Sequence, residues 1–309
     1  MAVGPASVAR ASLAGRATSR RSLLERESVF SWVMLAPGVL FLLAFVAYPF
    51  VYGIFISLQD RRVASPGTFV GLANFVAQAH DAVFWQVTRN TFIYTIVATF
   101  LKMTGGLAMA LVINQQFRGK NLARALLLLP FIVPTVLSTV AWMWIFDPTF
   151  SVINWTLRHT GLVTENFSWL GNATLAMVSI IIVNTWRGLP FYGITLLAGL
   201  QTISPDLYEA AAIDGASVTQ RFWHITIPVI KPVLIIVTMF SVIFTFSDFQ
   251  LPYILTHGGP ANATHLFATY AFDIGMSAGQ IGMGAAVALA MLPALGLLIV
   301  FLTLYLRRE

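Results

Sequence analysis

The chain has 309 residues, of which 58% are hydrophobic and only 10% charged, with a mean hydropathy of +0.80. Soluble domains carry about 25% charged residues, so this composition excludes an ordinary soluble fold and points to one polytopic membrane domain rather than two soluble ones. Cysteine is absent, which excludes disulfides, iron–sulfur clusters and thiolate metal sites, and the net charge of +6 poses a question of membrane topology rather than of nucleic-acid binding.

Residues 1–28 are rich in Ser, Ala and Arg, with no acidic residue before Glu25, and read as a flexible N-terminal tail. A signal peptide does not fit, because the apolar run that follows is too long and contains Pro37 and Pro49. Residues 29–309 then read as one transmembrane domain. Apolar spans fall at 30–58, 91–113, 122–146, 175–200, 232–255 and 281–306, six in all, each long enough to cross about 30 Å of hydrocarbon. Lys102, inside the second span, reads as a bundle-facing or snorkelling side chain rather than a ligand contact. Trp142, Trp144 and Phe146, near the end of the third, read as an interfacial aromatic belt.

With the N-terminus placed in the cytoplasm, the inner segments hold Arg10, Arg16, Arg20, Arg21, Arg26, Arg118, Lys120, Arg124, Arg221, Lys231, Arg307 and Arg308. The outer loops hold only Arg61, Arg62, Arg89 and Arg158. This asymmetry satisfies the positive-inside rule and puts both termini and the segment 201–231 on the cytoplasmic side. No internal repeat is visible, so an inverted-repeat carrier gains no support.

The segment 201–231 is built as helix–turn–helix. Ser204-Pro205-Asp206 supplies an N-cap, a proline at the first helical position and an acidic side chain in the first turn. Leu207 to Ile213 continue that helix, and Gly215 suits the left-handed position that ends it. Ser217 with Gln220 forms a capping box that starts a second helix, expected to run to Ile227 with Pro228 marking its boundary with the fifth span. The alanines make the first arm small-faced, open to close approach by a partner, and Glu209 and Asp214 offer charged hydrogen bonds. An amphipathic helix lying on the membrane surface would not require the Asp214-Gly215 turn.

Two charges lie inside spans, Arg187 in the fourth and Asp248 in the fifth. Each costs roughly 2.5–3.5 kcal/mol at a helix centre and should face a cavity or a partner. Gly188-Leu189-Pro190, beside Arg187, is expected to kink the fourth span and free backbone carbonyls. His257 and His265 sit in an outer loop with no carboxylate or third histidine at metal spacing, so no metal site is expected.

The run Glu209-Ala210-Ala211-Ala212-Ile213-Asp214-Gly215-Ala216, followed by Phe222, Ile225 and Ile227-Pro228, resembles the EAA loop of binding-protein-dependent ABC importer permeases, with Ile227 in place of the usual leucine. The likeness covers about residues 30 to 306. Ala47-Tyr48-Pro49, Ser57-Leu58 and 69–75 resemble the first span and outer loop of carbohydrate importer permeases. Pro130, Pro134, Trp142 and Asn154 fit their third span and the loop beyond it. Thr256-His257-Gly258-Gly259-Pro260 with Thr264 is similar to a segment of the maltose-type first-permease (F-type) subunits, with His257 where glycine or asparagine is usual.

The resemblance implies an all-α fold of six transmembrane helices. It also implies the function of a permease subunit that moves a sugar or sugar derivative across the bacterial cytoplasmic membrane by alternating access. Glu209, Ala210, Ala211, Asp214, Gly215 and Ala216 would couple the chain to a separate ATPase. Asn184, Arg187, Gly188, Phe191, Ser241, Phe244, Thr245, Asp248 and Gln250 would line the sugar pocket. Hydroxyl donors and acceptors, with aromatic faces for pyranose rings, suit that substrate. An Arg187–Asp248 ion pair locking two helices is the competing role for the two charges.

The implied partners are a second, homologous permease, a dimer of ATP-binding subunits, an extracytoplasmic sugar-binding protein and the bilayer, with no nucleic acid. No phosphate-binding loop occurs, since Gly119-Lys120-Asn121 lacks the upstream glycine and the hydroxyl. ATP and Mg²⁺ would therefore belong to the ATPase, with no cofactor and no catalytic residue in this chain. Two other classes compete. An ion- or proton-coupled carrier would use Asp248 but leaves the EAA-like loop unexplained, and a membrane anchor would need neither intramembrane charge.

Overall fold

The structure, a computed structural model, describes residues 27–307. Most of the expected N-terminal tail, with Arg10, Arg16, Arg20, Arg21 and Arg26, lies outside the described residues, as does Arg308. Two compact units are present, the first ending at Tyr52 and the second beginning at Gly53.

Helix α1 (Glu27–Leu42) passes through a π-helical turn at Leu43–Ala47 into α2 (Tyr48–Ser57). The span Ser31–Ser57 has a mean hydropathy of 2.4. The π-helical turn directly before Pro49 accommodates a residue that lacks an N–H and crowds the preceding turn.

In the second unit a short antiparallel ribbon, β1 (Gln59–Asp60) and β2 (Thr68–Phe69), places Gln59 opposite Phe69. Asn74, on α3 (Ala73–His80), closes the ribbon's base by donating to the Ser57 and Gln59 carbonyls at 2.7 and 2.9 Å. Helix α4 (Ala82–Asn114) follows, capped by the Asp81 carboxylate, which accepts from the Val83 N–H. Next come α5 (Lys120–Ile132), α6 (Thr135–Ile145), α7 (Val152–His159) and α8 (Ala173–Leu200). The chain then forms α9 (Pro205–Ile213), α10 (Val218–Arg221) and, after a π-helical turn at Phe222–Thr226, α11 (Ile227–Phe246). Helices α12 (Gln250–Thr256), α13 (Phe267–Phe272) and α14 (Ile281–Arg307) complete the unit.

Among the described residues five helical stretches are long and apolar enough to cross a membrane, and α5 with α6 makes a sixth when that bent pair is taken as one span. The six-helix expectation holds on that basis, but three of its spans are drawn differently. The second begins at Ala82 rather than near 91, because the Asp81 cap starts the helix nine residues earlier. The third is not one helix: α5 and α6 meet at 95°. Pro134 explains the break, since it holds Val133 extended, at φ −68° and ψ 128°, while Pro130 is absorbed within α5.

The fifth span differs at both ends. Pro228 is no boundary, because the π-helical turn before it leaves room for its ring, and Val218–Phe246 forms one continuous 29-residue rod. The rod stops at Phe246, with residues 247–249 separating it from α12. There the Ser247 hydroxyl donates to the Ile243 carbonyl at 2.6 Å, competing with the helical ladder. Helix α8 runs without a break through Gly188-Leu189-Pro190.

Helices α4 and α8 form the central pair, with α11 packed against both. Small residues bring the backbones together. A Cβ on Gly106 would strike the Cβ of Tyr192, which is fully buried, and would stand 3.3 Å from the Gly193 nitrogen. A Cβ on Gly105 would lie 2.7 Å from Leu189 Cδ2, and one on Gly193 would lie 2.6 Å from Met109 Sδ. Gly106→Leu is therefore expected to force the pair apart at a cost of about 1–3 kcal/mol. The check is thermal unfolding of the purified chain in detergent, where the variant should melt several degrees lower with normal expression of the Gly38→Leu control, whose site is open.

Of the expected aromatic belt, only Trp144 is exposed, at 74%. Phe146 is fully buried, and with Trp142 and Trp169 it packs into a cluster around Tyr94 and Ile180. Position near a span's end did not distinguish interface from core.

Candidate functional site

A cavity of about 390 Å³ opens among α4, α5, α8, α11, the 247–249 break and α12. All the residues expected in the pocket line it: Asn184, Arg187, Gly188, Phe191, Ser241, Phe244, Thr245, Asp248 and Gln250. Lys102, Phe131, Ser247 and Phe249 complete the wall. Phe131 and Phe191 lie with ring centroids 6.4 Å apart and planes 16° apart, bordering the cavity with an aromatic surface. Ser241 Oγ is buried in the wall near the Tyr192 hydroxyl.

A chain of hydrogen bonds organises one side. Tyr94 Oη donates to Asp248 Oδ2 at 2.8 Å, and Asn184 Nδ2 donates to the same oxygen at 3.0 Å. Asn184 Oδ1 accepts from Lys102 Nζ at 2.8 Å, and Lys102 also donates to Thr245 Oγ1 at 2.6 Å. The order of donors fixes the Asn184 amide orientation, because a carboxylate only accepts and an ammonium only donates. Asp248, 9% exposed, is thus satisfied by a phenol and an amide.

That arrangement corrects the alternative of an Arg187–Asp248 ion pair. Among the described residues the ion pair within 4 Å is Arg62–Asp60, at 3.7 Å and well exposed. Asp248 turns to Tyr94 and Asn184 instead, and Arg187, half-buried, stands in the cavity wall with no hydrogen bond or ion pair among the described residues. Gly188 also takes a different role. A Cβ there would collide with the Lys102 Cδ, so the glycine admits the lysine stem between α4 and α8.

Of the two roles read for Lys102, the bundle-facing one holds and snorkelling does not, since it lies 4% exposed inside the bundle; what sequence reading missed is its place on the cavity wall. The signal was present: it is the single charge in the second span, subject to the same cost that singled out Arg187 and Asp248. Tyr94 carried no signal, since a tyrosine in an apolar run is unremarkable until its hydroxyl is seen on a carboxylate.

The loop between α8 and α11 folds as its capping residues dictate. Ser204 Oγ accepts from the Asp206 N–H at 3.3 Å. Gly215 sits at φ +80°, its N–H donating to the Ala212 carbonyl at 3.1 Å, while the Ala216 N–H reaches the Ala211 carbonyl at 2.8 Å. These two bonds close α9 in a glycine-ended stop. Ser217 and Gln220 cap α10 reciprocally, with bonds of 2.8 and 3.3 Å. The back of the loop is anchored: Tyr208 Oη lies 2.9 Å from Thr226 Oγ1, and Ile203, Ile225 and Ile227 join the α4–α8 core.

Its front is open, with Glu209, Ala210, Asp214 and Gly215 exposed and Ile213 87% exposed. Ala211, Asp214, Gly215 and Ala216 line a groove of about 360 Å³ whose other wall holds Gln220, Arg221 and His224. Glu209 lies on the same arm but outside the groove lining.

At the opposite end of α12, residues 256–265 form a tightly pinned loop. Thr264 Oγ1 lies 2.7 Å from both Thr256 Oγ1 and the Gly259 carbonyl. Asn90 donates to the Asn262 and His265 carbonyls. His257, Ala261 and Asn262 adopt positive φ, so the loop is held by its bonds against local backbone preference. Burial holds the His265 imidazole below the usual histidine value, with Asp273 acting in the opposite direction.

Residues 102–309 match the family described as "Binding-protein-dependent transport system inner membrane component". The chain is 36% identical over 265 residues to a trehalose/maltose transport system permease protein of Thermococcus litoralis, covering 85% of this chain and 89% of that one. It is also 36% identical to a lactose transport system permease protein of Rhizobium radiobacter, with 83% and 87% covered. Among solved structures, a bacterial ABC transporter involved in import of the acidic polysaccharide alginate shares the fold, with a TM-score of 0.79 at 21% identity and 92% and 97% of the chains covered. The open helix–turn–helix, the membrane-embedded polar cavity and these likenesses converge: the chain belongs to the binding-protein-dependent transport system inner membrane components, as the membrane-spanning permease of an ABC importer, a transport part and not an enzyme.

Proposed function

We propose that this permease passes a sugar or sugar derivative into the cell, and that the cavity between α4, α8 and α11 is where the sugar sits during transit. The observation that carries the proposal is the composition of that wall: hydroxyl, amide and charged groups beside stacked aromatic rings, inside the span. Polar groups at that depth are costly and are kept where they meet a ligand or one another. Asn184, Ser241, Thr245 and Gln250 supply hydrogen bonds to hydroxyls, Arg187 and Asp248 set the charge, Gly188 makes room for Lys102, and Phe191 and Phe244 offer apolar faces. The transport of trehalose, maltose and lactose named for two relatives supports the substrate class.

In this reading both termini and the α9–α10 loop face the cytoplasm, in keeping with the positive-inside count. A separate pair of ATP-binding subunits, holding ATP and Mg²⁺, grips Glu209, Ala210, Ala211, Asp214, Gly215 and Ala216. A second, homologous permease completes the cavity, and an extracytoplasmic binding protein delivers the sugar. A solved relative in complex with an alginate pentasaccharide-bound periplasmic protein supports that last partner. The rod Val218–Phe246 links the loop directly to the cavity wall at Ser241, Phe244 and Thr245, so a push on the loop moves the wall.

The test is reconstitution of the chain with its co-expressed partners in liposomes. Uptake of radiolabelled maltose or lactose is expected to need internal ATP and the binding protein, and to survive collapse of proton and sodium gradients. Uptake driven by a gradient without ATP would favour an Asp248-coupled carrier and overturn the proposal.

A further inference from the structure

Lys102 occupies a position that packing alone does not explain. The residue is 4% exposed, yet it lies on the cavity wall. It is bonded to two neutral oxygens, Asn184 Oδ1 and Thr245 Oγ1, and among the described residues no carboxylate stands within ion-pair distance. The nearest acid in its network, Asp248, is reached only through the Asn184 amide. A buried cation without a paired anion is costly, and a methionine would fill the same space without that cost.

Three features hold the amine where it is. Gly188 clears its stem, Asn184 orients it from α8, and Thr245 fixes it from α11. Asp248 and Tyr94 in turn fix Asn184, so the outer members of the network are spent on positioning. An ammonium carries three donors, and two are used. We propose that Lys102 is a substrate-contacting residue, its remaining N–H donating to a sugar oxygen in the cavity. The inference rests on the function proposed above and deepens it by naming the cation that meets the sugar from α4.

The test uses the assembled complex in liposomes, with whichever of radiolabelled maltose and lactose the wild type takes up. Lys102→Met and Lys102→Gln are expected to raise the KM of uptake about tenfold or more, the size of one lost charged hydrogen bond. Lys102→Arg should recover part of the KM. An unchanged KM overturns the inference, and so does a loss of ATPase stimulation at unchanged KM, which would make Lys102 only a tie between helices. If the variants fail to assemble, the wild-type complex trapped with sugar decides by electron cryomicroscopy. A sugar oxygen within hydrogen-bond reach of Nζ supports the inference, and its absence overturns it. A wild type that takes up neither sugar overturns the proposed function, and this inference with it; wild-type uptake with unchanged variant KM overturns the inference alone.

Discussion

Replacing Gly215 by proline is expected to abolish stimulation of the partner ATPase by the binding protein while leaving the membrane domain folded. Gly215 stands at φ +80°, and proline is confined near −65°. The substitution also removes the N–H that donates to the Ala212 carbonyl, and with it the stop that lets α9 turn back toward α10. The expected cost is about 3 kcal/mol or more at this turn, enough to displace the groove formed by Ala211, Asp214, Gly215 and Ala216. Because no atom lies within 4 Å of a Cβ built on Gly215, the defect is one of backbone shape and not of packing.

Glu209→Ala is the milder companion. Its side chain is exposed and makes no structural bond among the described residues, so stability should be unchanged and only partner binding should weaken. Both effects are read by co-purification of the ATPase and by its stimulated turnover in liposomes. Full stimulation in Gly215→Pro would remove the loop from the coupling path.

Asp248→Ala is expected to reduce uptake by more than about tenfold and to lower the melting temperature. The carboxylate receives both Tyr94 Oη and Asn184 Nδ2, and its removal leaves two buried donors unsatisfied, at about 1–3 kcal/mol each. It also removes the carboxylate that shares the cavity wall with Lys102 and Arg187. Asp248→Asn keeps an acceptor for Tyr94 and should recover most of the melting temperature but not all of the uptake. The contrast separates scaffold from charge. An ion-coupled carrier makes a different forecast: the asparagine variant would lose gradient-driven uptake entirely and gain nothing from ATP. Uptake by Asp248→Ala at the wild-type rate would remove the network from transport altogether.

These two sites were legible in the sequence to different degrees, for reasons that lie in the range of the interactions involved. The α9–α10 turn is decided by contacts within a few residues: a serine on the N–H two positions on, a glycine where φ must be positive, and a serine–glutamine pair bonding each other. Such contacts are written in neighbouring letters. Apolar run length likewise located the spans, because hydrocarbon thickness sets a minimum number of residues. Arg187 and Asp248 stood out because charge is scarce in a bilayer.

What the chain concealed depended on residues far apart. The sequence placed both charges, but only the packing of α4 on α8 decided that they do not pair, by bringing Tyr94 and Asn184 to Asp248 across 154 and 64 residues. Proline was an unreliable guide for the same reason. Pro134 breaks the third span at 95°, while Pro190 and Pro228 lie in unbroken helices, because neighbouring turns and packed helices can absorb a missing N–H in one place and not in another. The sequence alone determined six apolar spans and a helix–turn–helix between the fourth and fifth, through run length and local capping. The tertiary structure alone decided which polar side chains meet, because hydrogen-bond partners in a membrane bundle are chosen across helices and not along them.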